Sequence, residues 1–158
     1  MIEDGAVPGA IPPAIGWVAV TGHLDPGAWA LIAILFFWQP AHFLAIAWIC
    51  REDYARAGMP MLPVLYPAGR FVGRQIVLYS LALLPVTLAL IPLSRAGVVS
   101  MFGSVALGVG LVAVALPGAF REPTYAAARR TFLASIGYMF LLLMLLSADC
   151  LFVGGRGM

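Results

Sequence analysis

The sequence has little charge and no lysine at all. Of its 158 residues, 10% are charged and 63% are hydrophobic, and the mean hydropathy is +1.00. Soluble domains have about 25% charged and about 45–50% apolar residues. A soluble fold could not cover this much apolar surface without exposing patches that promote association. The scarcity of charge therefore predicts an integral membrane protein whose solvent is the lipid bilayer.

Three further absences narrow the class of protein. The formal net charge of +2 is too small for a nucleic-acid partner. Because there is no lysine, every cationic side chain is a guanidinium, which stays charged and makes forked contacts with anions. The two cysteines, Cys50 and Cys150, make no disulfide framework, and we expect them too far apart to pair. The chain starts with Glu3 and Asp4 where a signal peptide has basic residues, so we expect no signal peptide.

Long apolar runs are what the sequence does contain. A transmembrane helix needs about 20 such residues, and four stretches qualify: 28–50, 76–93, 98–116 and 132–153. A fifth, 5–20, is shorter and rich in proline and glycine. It predicts a broken helix packed against others through small residues. The fold class predicted for residues 1–158 is thus all-α, a single transmembrane bundle with about five spans.

The arginines indicate the orientation of this bundle. Two long loops, 51–74 and 117–130, lie on one side, and Arg95 and Arg156 lie on the other. The loop arginines are Arg51, Arg56, Arg70, Arg74, Arg121, Arg129 and Arg130. Since positive charge accumulates on the cytoplasmic side, we expect both loops in the cytoplasm.

Residues 38–64 break the pattern of a plain lipid-facing span. Trp38, Gln39 and His42 lie inside the hydrophobic stretch, and charged residues with Tyr54 follow at its cytoplasmic end, namely Arg51, Glu52, Asp53 and Arg56. Trp38 and His42 are four residues apart and share a helix face, which Ala45 and Ile49 extend. This face predicts an aromatic, apolar cavity leading to a charged mouth, which suits an amphiphile with an anionic head.

Structural explanations compete with this interpretation. His42 can make a purely structural hydrogen bond between helices, although polar groups at membrane depth are functional by default. Trp38 and Trp48 can be packing or interfacial residues, and the loop arginines can be topology signals alone. Asp149 is given no role beyond reaching the opposite interface. His23 is expected in a solvated turn.

Three ordered motifs resemble a known family. They are GAIPPAIGWVAVTG at 9–22, WQPAHFLAIA at 38–47 and DYARAGMPMLPV at 53–64. In this order they resemble the protoheme IX farnesyltransferases, or haem O synthases, of the UbiA superfamily. The resemblance covers nearly the whole chain but only the C-terminal half of the family, five of nine spans. Ala41 and Leu44 are mild departures. The other half normally carries the first Asp-rich motif, which is the main magnesium–diphosphate site.

The resemblance implies transfer of a farnesyl group from farnesyl diphosphate to a vinyl group of haem B, with Mg²⁺, in the bacterial inner membrane. By hypothesis Asp53 is a catalytic carboxylate and metal ligand, and Glu52 is a poorer candidate. Trp38 lines the cation or porphyrin pocket. His42 ligates haem iron, orients a water or acts as a base. The remaining candidates bind substrate. Gln39 and Tyr54 would donate hydrogen bonds. The arginines would bind the diphosphate or the haem propionates, and they are Arg51, Arg56, Arg70 and Arg74.

Other functions stay open at this point. The chain can be a non-catalytic or split-enzyme subunit that associates with a separate N-terminal half, with haem A synthase or with terminal oxidase assembly proteins. It can also be a haem-binding membrane protein that uses His42. A quinone prenyltransferase is a closer alternative, but the second Asp-rich motif that it requires is missing.

Overall fold

A computed structural model describes residues 2–93 and 97–154, with side chains for 8–93 and 97–149. This part of the chain is all-α and contains no strand, which confirms the predicted fold class. Its helices are α1 (Ile2–Thr21), α2 (Pro26–Ile49), α3 (Arg51–Arg56), α4 (Leu62–Leu65), α5 (Arg70–Leu93), α6 (Val98–Ala115), α7 (Pro117–Phe120) and α8 (Tyr125–Gly154).

Four segments are long and apolar enough to cross a membrane: Pro26–Ile49, Arg70–Leu93, Val98–Phe120 and Tyr125–Asp149. Each of them overlaps one of the four stretches predicted from the sequence. Two of them begin more than one helical turn before the predicted start, since α5 starts at Arg70 and α8 at Tyr125. Arg74 and Arg129 therefore belong to helices and not to loops. Arginine is a good helix former whose long side chain reaches water from a helix surface, so each of these helices begins several residues before its apolar run.

The prediction of a broken first helix is wrong. α1 is continuous from Ile2 to Thr21 although Pro8, Pro12 and Pro13 lie inside it. Proline adopts helical φ and removes one backbone donor at each site, and neighbouring helices stabilise such segments in membranes. α1 packs against α2. Gly9 makes this approach possible, since a Cβ atom there would collide with the side-chain amide of Gln39.

The four long helices form a ring in which each packs against two others. α2 contacts α5 and α8, and α6 contacts the same two helices from the far side. α2 is also covered by α1, so it is the central element of the fold. One apolar cluster lies near the end of α2 around Leu44, Trp48 and Val72. A second lies deeper, around Ile34, Leu83 and Leu142.

Carboxylates cap two of the long helices. Asp25 precedes α2 and its Oδ1 accepts hydrogen bonds from the N–H groups of Gly27 (2.9 Å) and Ala28 (3.1 Å). His23 beside it is exposed, as predicted. Asp149 of α8 caps α6, because its Oδ2 accepts from the N–H groups of Gly97 (2.7 Å) and Ser100 (3.0 Å). The first N–H groups of a helix have no partner within it, so Asp149 has the role that the sequence did not reveal.

Two arginines and one cysteine side chain lie outside the described residues. They are Arg95, Arg156 and the side chain of Cys150. Cys50 is half-buried and carries a free thiol. The expected absence of a Cys50–Cys150 disulfide therefore stays a prediction.

Candidate functional site

The charged end of α2 forms because the chain turns there. α2 ends at Ile49, Cys50 leaves helical geometry, and α3 begins at Arg51. Glu52 and Asp53 occupy the first turn of α3 and Arg56 the last. Acidic side chains are favourable at a helix N-terminus and basic ones at its C-terminus, so this six-residue helix places both signs of charge together at the end of a membrane span.

A cavity of about 440 Å³, which we name the mouth cavity, opens beside α3. One wall comes from the end of α2 and from α3, and the other from the connection between α7 and α8. The lining residues are Ile49, Arg51, Glu52, Asp53, Arg56, Glu122, Pro123, Thr124 and Tyr125. Three of them carry carboxylates and two carry guanidinium groups. The mouth cavity therefore has more negative than positive formal charge.

Trp48 joins the two walls of the mouth cavity. Its ring is fully buried, and its indole N–H donates a hydrogen bond of 2.6 Å to the carbonyl of Pro123 on the opposite wall. The guanidinium of Arg51 lies 4.7 Å from the centre of the same ring, within range of a cation–π interaction. Gly69, with φ +71°, has no space for a Cβ beside Trp48 and Pro123. Of the two structural explanations for Trp48, packing is the one that applies.

Asp53 and Arg56 form an ion pair across one turn of α3. Both side chains are largely exposed, and exposed pairs of this kind contribute about 0–1 kcal/mol to stability. The pairing therefore leaves each group available, at little energetic cost, for a charged ligand that enters the mouth cavity.

A second set of residues lies deeper on α2, against α8. His42 stacks between Trp38 (ring centres 4.6 Å apart) and Phe132 (4.7 Å). The indole N–H of Trp38 donates to the carbonyl of Ser135 (2.7 Å). The Nδ1 atom of His42 lies 2.8 Å from the Ser135 hydroxyl oxygen. Trp38 and His42 share a helix face as predicted, and that face is turned toward α8.

The mouth cavity and the aromatic set occupy different depths. Ile49 lines the mouth cavity, and His42 lies seven residues earlier on the same helix face, which corresponds to about 10 Å along the helix axis. Neither Trp38 nor His42 is among the lining residues of the mouth cavity. The two sets are thus stacked along one face of α2 and do not share the walls of the mouth cavity.

Several predicted substrate-binding residues lie away from the mouth cavity. Gln39 is buried against α1 beside Gly9, and Tyr54 is half-buried on α3 without lining the cavity. Arg70 is exposed at the start of α5. The Nε–H of Arg74 donates to the carbonyl of Ala119 in α7 (3.4 Å). Arg51 and Arg56 are the predicted arginines that line the mouth cavity.

Sequence reasoning missed the far wall and the partner of His42. Glu122, Thr124 and Tyr125 face the predicted residues across the mouth cavity, and no local motif marks them. Ser135 had a visible signal. It lies four residues after Thr131 in an apolar span, and polar residues at membrane depth usually have partners.

The carboxylates of the mouth cavity suit a metal ion that takes most of its ligands from a bound substrate. Within 8–93 and 97–149, no group of three or more His, Cys, Asp or Glu side chains is placed to bind a metal. Mg²⁺ is usually bound by one or two carboxylates together with substrate phosphates. Asp53, with Glu52 or Glu122, can supply that number, so the carboxylates of the mouth cavity fit Mg²⁺ that is bound together with phosphate oxygens.

These features define a class: a helical integral membrane protein with a charged cavity at one end of the bundle and packed aromatic side chains deeper on the same helix face. A family comparison then identifies it further. The model of the UbiA prenyltransferase family matches residues 4–144. The chain therefore belongs to the UbiA prenyltransferase family.

Individual relatives agree with this assignment. The chain is 43% identical over 156 residues to the protoheme IX farnesyltransferase of Gloeobacter violaceus, covering 96% of this chain and 50% of that protein. It is 46% identical over 154 residues to the protein of that name in an Anaeromyxobacter species, covering 96% and 49%. A third, from Koribacter versatilis, is 44% identical over 153 residues, covering 92% and 49%. The chain spans about half the length of these curated relatives. No solved structure matches it.

Proposed function

We propose that this chain supplies the C-terminal half of a protoheme IX farnesyltransferase site. The reaction would join the farnesyl group of farnesyl diphosphate to a vinyl carbon of haem B, with water supplying a hydroxyl group. The observation that carries the proposal is the mouth cavity, with its mixed charges, at the end of the helix face that bears Trp38 and His42. The three relatives described above carry this enzyme's name.

The charge of the mouth cavity supports a role for Mg²⁺. Its three carboxylates outnumber its two guanidinium groups, so a free diphosphate would meet a cavity of its own sign. A divalent cation reverses that balance. When bound, Mg²⁺ neutralises the diphosphate leaving group. We assign Asp53 as the carboxylate that holds the metal ion, with Glu122 on the opposite wall as the second candidate.

The arginines of the mouth cavity would bind the diphosphate oxygens. Arg51 is held over the Trp48 ring, which fixes its direction, and Arg56 is released from Asp53 at little cost. Guanidinium groups make two parallel hydrogen bonds to phosphate oxygens. The same role for Arg70 and Arg74, and a donor role for Gln39 and Tyr54, stay predictions, because these four lie outside the lining of the mouth cavity.

The aromatic set would act on the apolar part of the reaction. An allylic cation forms when diphosphate leaves, and the face of a tryptophan stabilises a desolvated cation by about 2 kcal/mol. Trp38 is the candidate for this role. His42, which stacks on Trp38, is the candidate that ligates haem iron or binds water. The bilayer surrounding the helix ring admits both long apolar substrates. We further propose that the mouth cavity faces the cytoplasm, in the inner membrane, because the loop arginines lie at that end.

A complementation assay tests the proposal. The chain is expressed with the N-terminal half of the Gloeobacter violaceus relative in a bacterium that lacks haem O synthase, and haem O is measured by liquid chromatography with mass spectrometry. We expect haem O in this strain. Asp53→Asn should reduce its formation by at least about 100-fold, the usual scale for removing one electrostatic stabiliser of a transition state.

Arg121→Gln is the matched control. Arg121 precedes Glu122 in the same connection but does not line the mouth cavity, so haem O formation should be unchanged. If Asp53→Asn and His42→Ala both keep full activity while the protein is present in the membrane, the assignment of the site is wrong. If the unmodified pair makes no haem O although both halves accumulate, the proposed reaction is wrong for this chain.

A further inference from the structure

His42 makes a hydrogen bond whose direction can be assigned. Its Nδ1 atom lies 2.8 Å from the Oγ atom of Ser135. The Ser135 hydroxyl also lies 2.7 Å from the carbonyl oxygen of Phe132, three residues earlier in α8. A hydroxyl group has one proton to donate and two lone pairs to accept with. A carbonyl oxygen can only accept, so the pairing with Phe132 requires the Ser135 proton.

The arrangement of protons that makes both hydrogen bonds is therefore unique. Ser135 donates to Phe132, and its oxygen accepts a proton from Nδ1 of His42. The reverse arrangement, with Ser135 donating to Nδ1, makes only one of the two bonds. At membrane depth no bulk water replaces the lost bond. The neutral imidazole thus carries its proton on Nδ1 and a lone pair on Nε2.

The surroundings of His42 keep the ring in this position. Trp38 and Phe132 stack on its two sides at 4.6 and 4.7 Å, with interplanar angles of 19° and 30°. Trp38 is itself held by α8, since its indole N–H donates to the carbonyl of Ser135. Ser135 therefore holds both Trp38 and His42, one through its backbone and one through its side chain. Nε2 makes no hydrogen bond to another residue of the described chain.

We infer that Ser135 is a positioning residue that fixes the tautomer of His42, so that Nε2 offers a lone pair to the substrate. This deepens the proposed function, on which it rests only for the identity of the substrate. Ligation of haem iron, acceptance of a proton from water and orientation of a water through Nε2 all use the same lone pair. The geometry excludes neutral His42 as a proton donor through Nε2.

Nitrogen NMR measures the tautomer directly. The chain contains two histidines, and His23→Asn leaves His42 as the only one. We expect the ¹⁵N-histidine-labelled protein in nanodiscs to show a protonated Nδ1 and an unprotonated Nε2, the reverse of the tautomer that prevails for free imidazole side chains. A protonated Nε2 in the otherwise unmodified chain would overturn the inference, whatever the activity of the protein.

Substitutions of Ser135 separate positioning from packing. Ser135→Ala should reduce the ratio of the two tautomers roughly three- to tenfold, the effect of losing one hydrogen bond. Ser135→Thr keeps a hydroxyl that bonds a preceding carbonyl in a helix and should restore the ratio. Ser104→Ala is the control, because Ser104 is equally buried and bonds its own helix carbonyl at Met101 (3.0 Å) without contacting His42. An unchanged ratio in Ser135→Ala would contradict the role of Ser135.

A metalloporphyrin distinguishes two uses of the Nε2 lone pair, namely ligation of a metal and interaction with water. Zinc protoporphyrin IX is diamagnetic and binds one axial nitrogen ligand. A shift of the Nε2 resonance on its addition, with Nδ1 still protonated, supports the lone pair as a metal ligand. An unchanged Nε2 resonance, in a sample whose porphyrin absorption band shows binding, excludes axial ligation and supports use of the lone pair on water. Loss of the Nδ1 proton signal when the porphyrin is added would contradict the inference, whether Nε2 ligates a metal or acts on water. Because these readouts need no turnover, failure of the proposed reaction and failure of this inference are separate results.

Discussion

At the scale of single residues, Trp48 holds the two walls of the mouth cavity together. It contacts Arg51 in the next helix, and it contacts Gly69 and Pro123, which are distant in sequence. A tryptophan is large enough to touch all three and has one N–H donor to satisfy. Its energetic contribution therefore combines packing with one specific hydrogen bond.

Replacing Trp48 by phenylalanine removes that donor and part of the ring. The Pro123 carbonyl loses a buried partner, so we expect a loss of about 1–3 kcal/mol in the free energy of unfolding. Thermal unfolding in detergent, followed by circular dichroism, measures the change. Trp29→Phe is the matched control, because Trp29 lies on the same helix and is 58% exposed. Equal losses for both variants would show that the contact with Pro123 is unimportant.

Asp25 gives the chain a predictable response to acid. Partial desolvation raises the pKa of its carboxyl group, but the N–H groups of Ala28 and Gly27, with Trp17 and His23 nearby, lower the pKa further, so the net pKa lies below the ordinary value. The cap therefore stabilises the fold fully above the ordinary aspartate range near pH 4, and the contribution is lost as pH falls through the lower pKa of the folded state.

Melting temperatures of the unmodified chain and of Asp25→Ala, measured as a function of pH, test this. The unmodified chain should melt higher at pH 6, and the difference should shrink as the pH falls below about 4. A constant difference from pH 6 to pH 2 would show that the carboxylate charge does not contribute to the cap.

At the scale of elements, the helices approach each other through a few small residues. α5 crosses α7 at Gly73 and Gly118, where a Cβ atom on Gly73 would overlap the backbone of Gly118. Glycine permits such close backbone approach between membrane helices. This crossing positions the connection that carries Glu122 toward the mouth cavity.

Gly73→Ala should push α5 and α7 apart. The overlap is with backbone atoms, which cannot move aside as a flexible side chain would, so we expect a loss of about 1–3 kcal/mol or more. Gly110→Ala in α6 is the matched control. A Cβ atom there meets nothing within 4 Å, so stability should be unchanged or rise by up to about 1 kcal/mol. Unfolding of both variants by titration with a denaturing detergent decides between these outcomes.

Asp149 connects α8 to the start of α6 at the other end of the bundle. Asp149→Ala leaves the N–H groups of Gly97 and Ser100 without their acceptor, and their amide hydrogens should exchange with solvent roughly tenfold faster. Asp149→Asn keeps an acceptor oxygen and should have a smaller effect. Hydrogen–deuterium exchange with mass spectrometry, on peptides that cover 97–101, provides the measurement. Unaltered exchange in Asp149→Ala would mean that water caps α6 equally well.

At the scale of the whole molecule, the ring of α2, α5, α6 and α8 places α3 and the α7–α8 connection at one end, and Asp25 and Asp149 at the other. If the bundle crosses the membrane as proposed, these ends lie on opposite sides. Single cysteines in a background without Cys50 and Cys150 report this with a membrane-impermeant maleimide.

We expect Glu52→Cys and Glu122→Cys to be protected in spheroplasts and labelled in inverted vesicles. His23→Cys should show the opposite pattern. Labelling of all three from the same side would contradict the transmembrane arrangement, and exchange of the two patterns would reverse the proposed orientation.

Much of this architecture could be predicted from the sequence, because hydropathy and span length depend on composition along the chain. The four spans were found within a few residues at most ends. Two starts were predicted too late, because the helices that begin at Arg70 and Tyr125 extend beyond their apolar runs. The third error is at α1, where the proline content indicated a break that packing against α2 prevents.

The candidate site divides in the same way. The face shared by Trp38 and His42, and the charged group around Asp53, follow from helical spacing and were predicted. Ser135 lies 93 positions from His42, and Pro123 lies 75 positions from Trp48. Glu122 is likewise far along the chain from Asp53. Periodicity carries no information on such pairs.

The sequence by itself determined that this protein is a helical bundle in a membrane, because its apolar runs leave no other way to remove that surface from water. Only the tertiary structure decided which side chains face one another across helices, namely Ser135 with His42, Asp149 with the start of α6, and Glu122 with the acidic turn of α3. The reason is physical: such contacts depend on how the helices are rotated and spaced, and these are set by packing between segments that are distant in the chain.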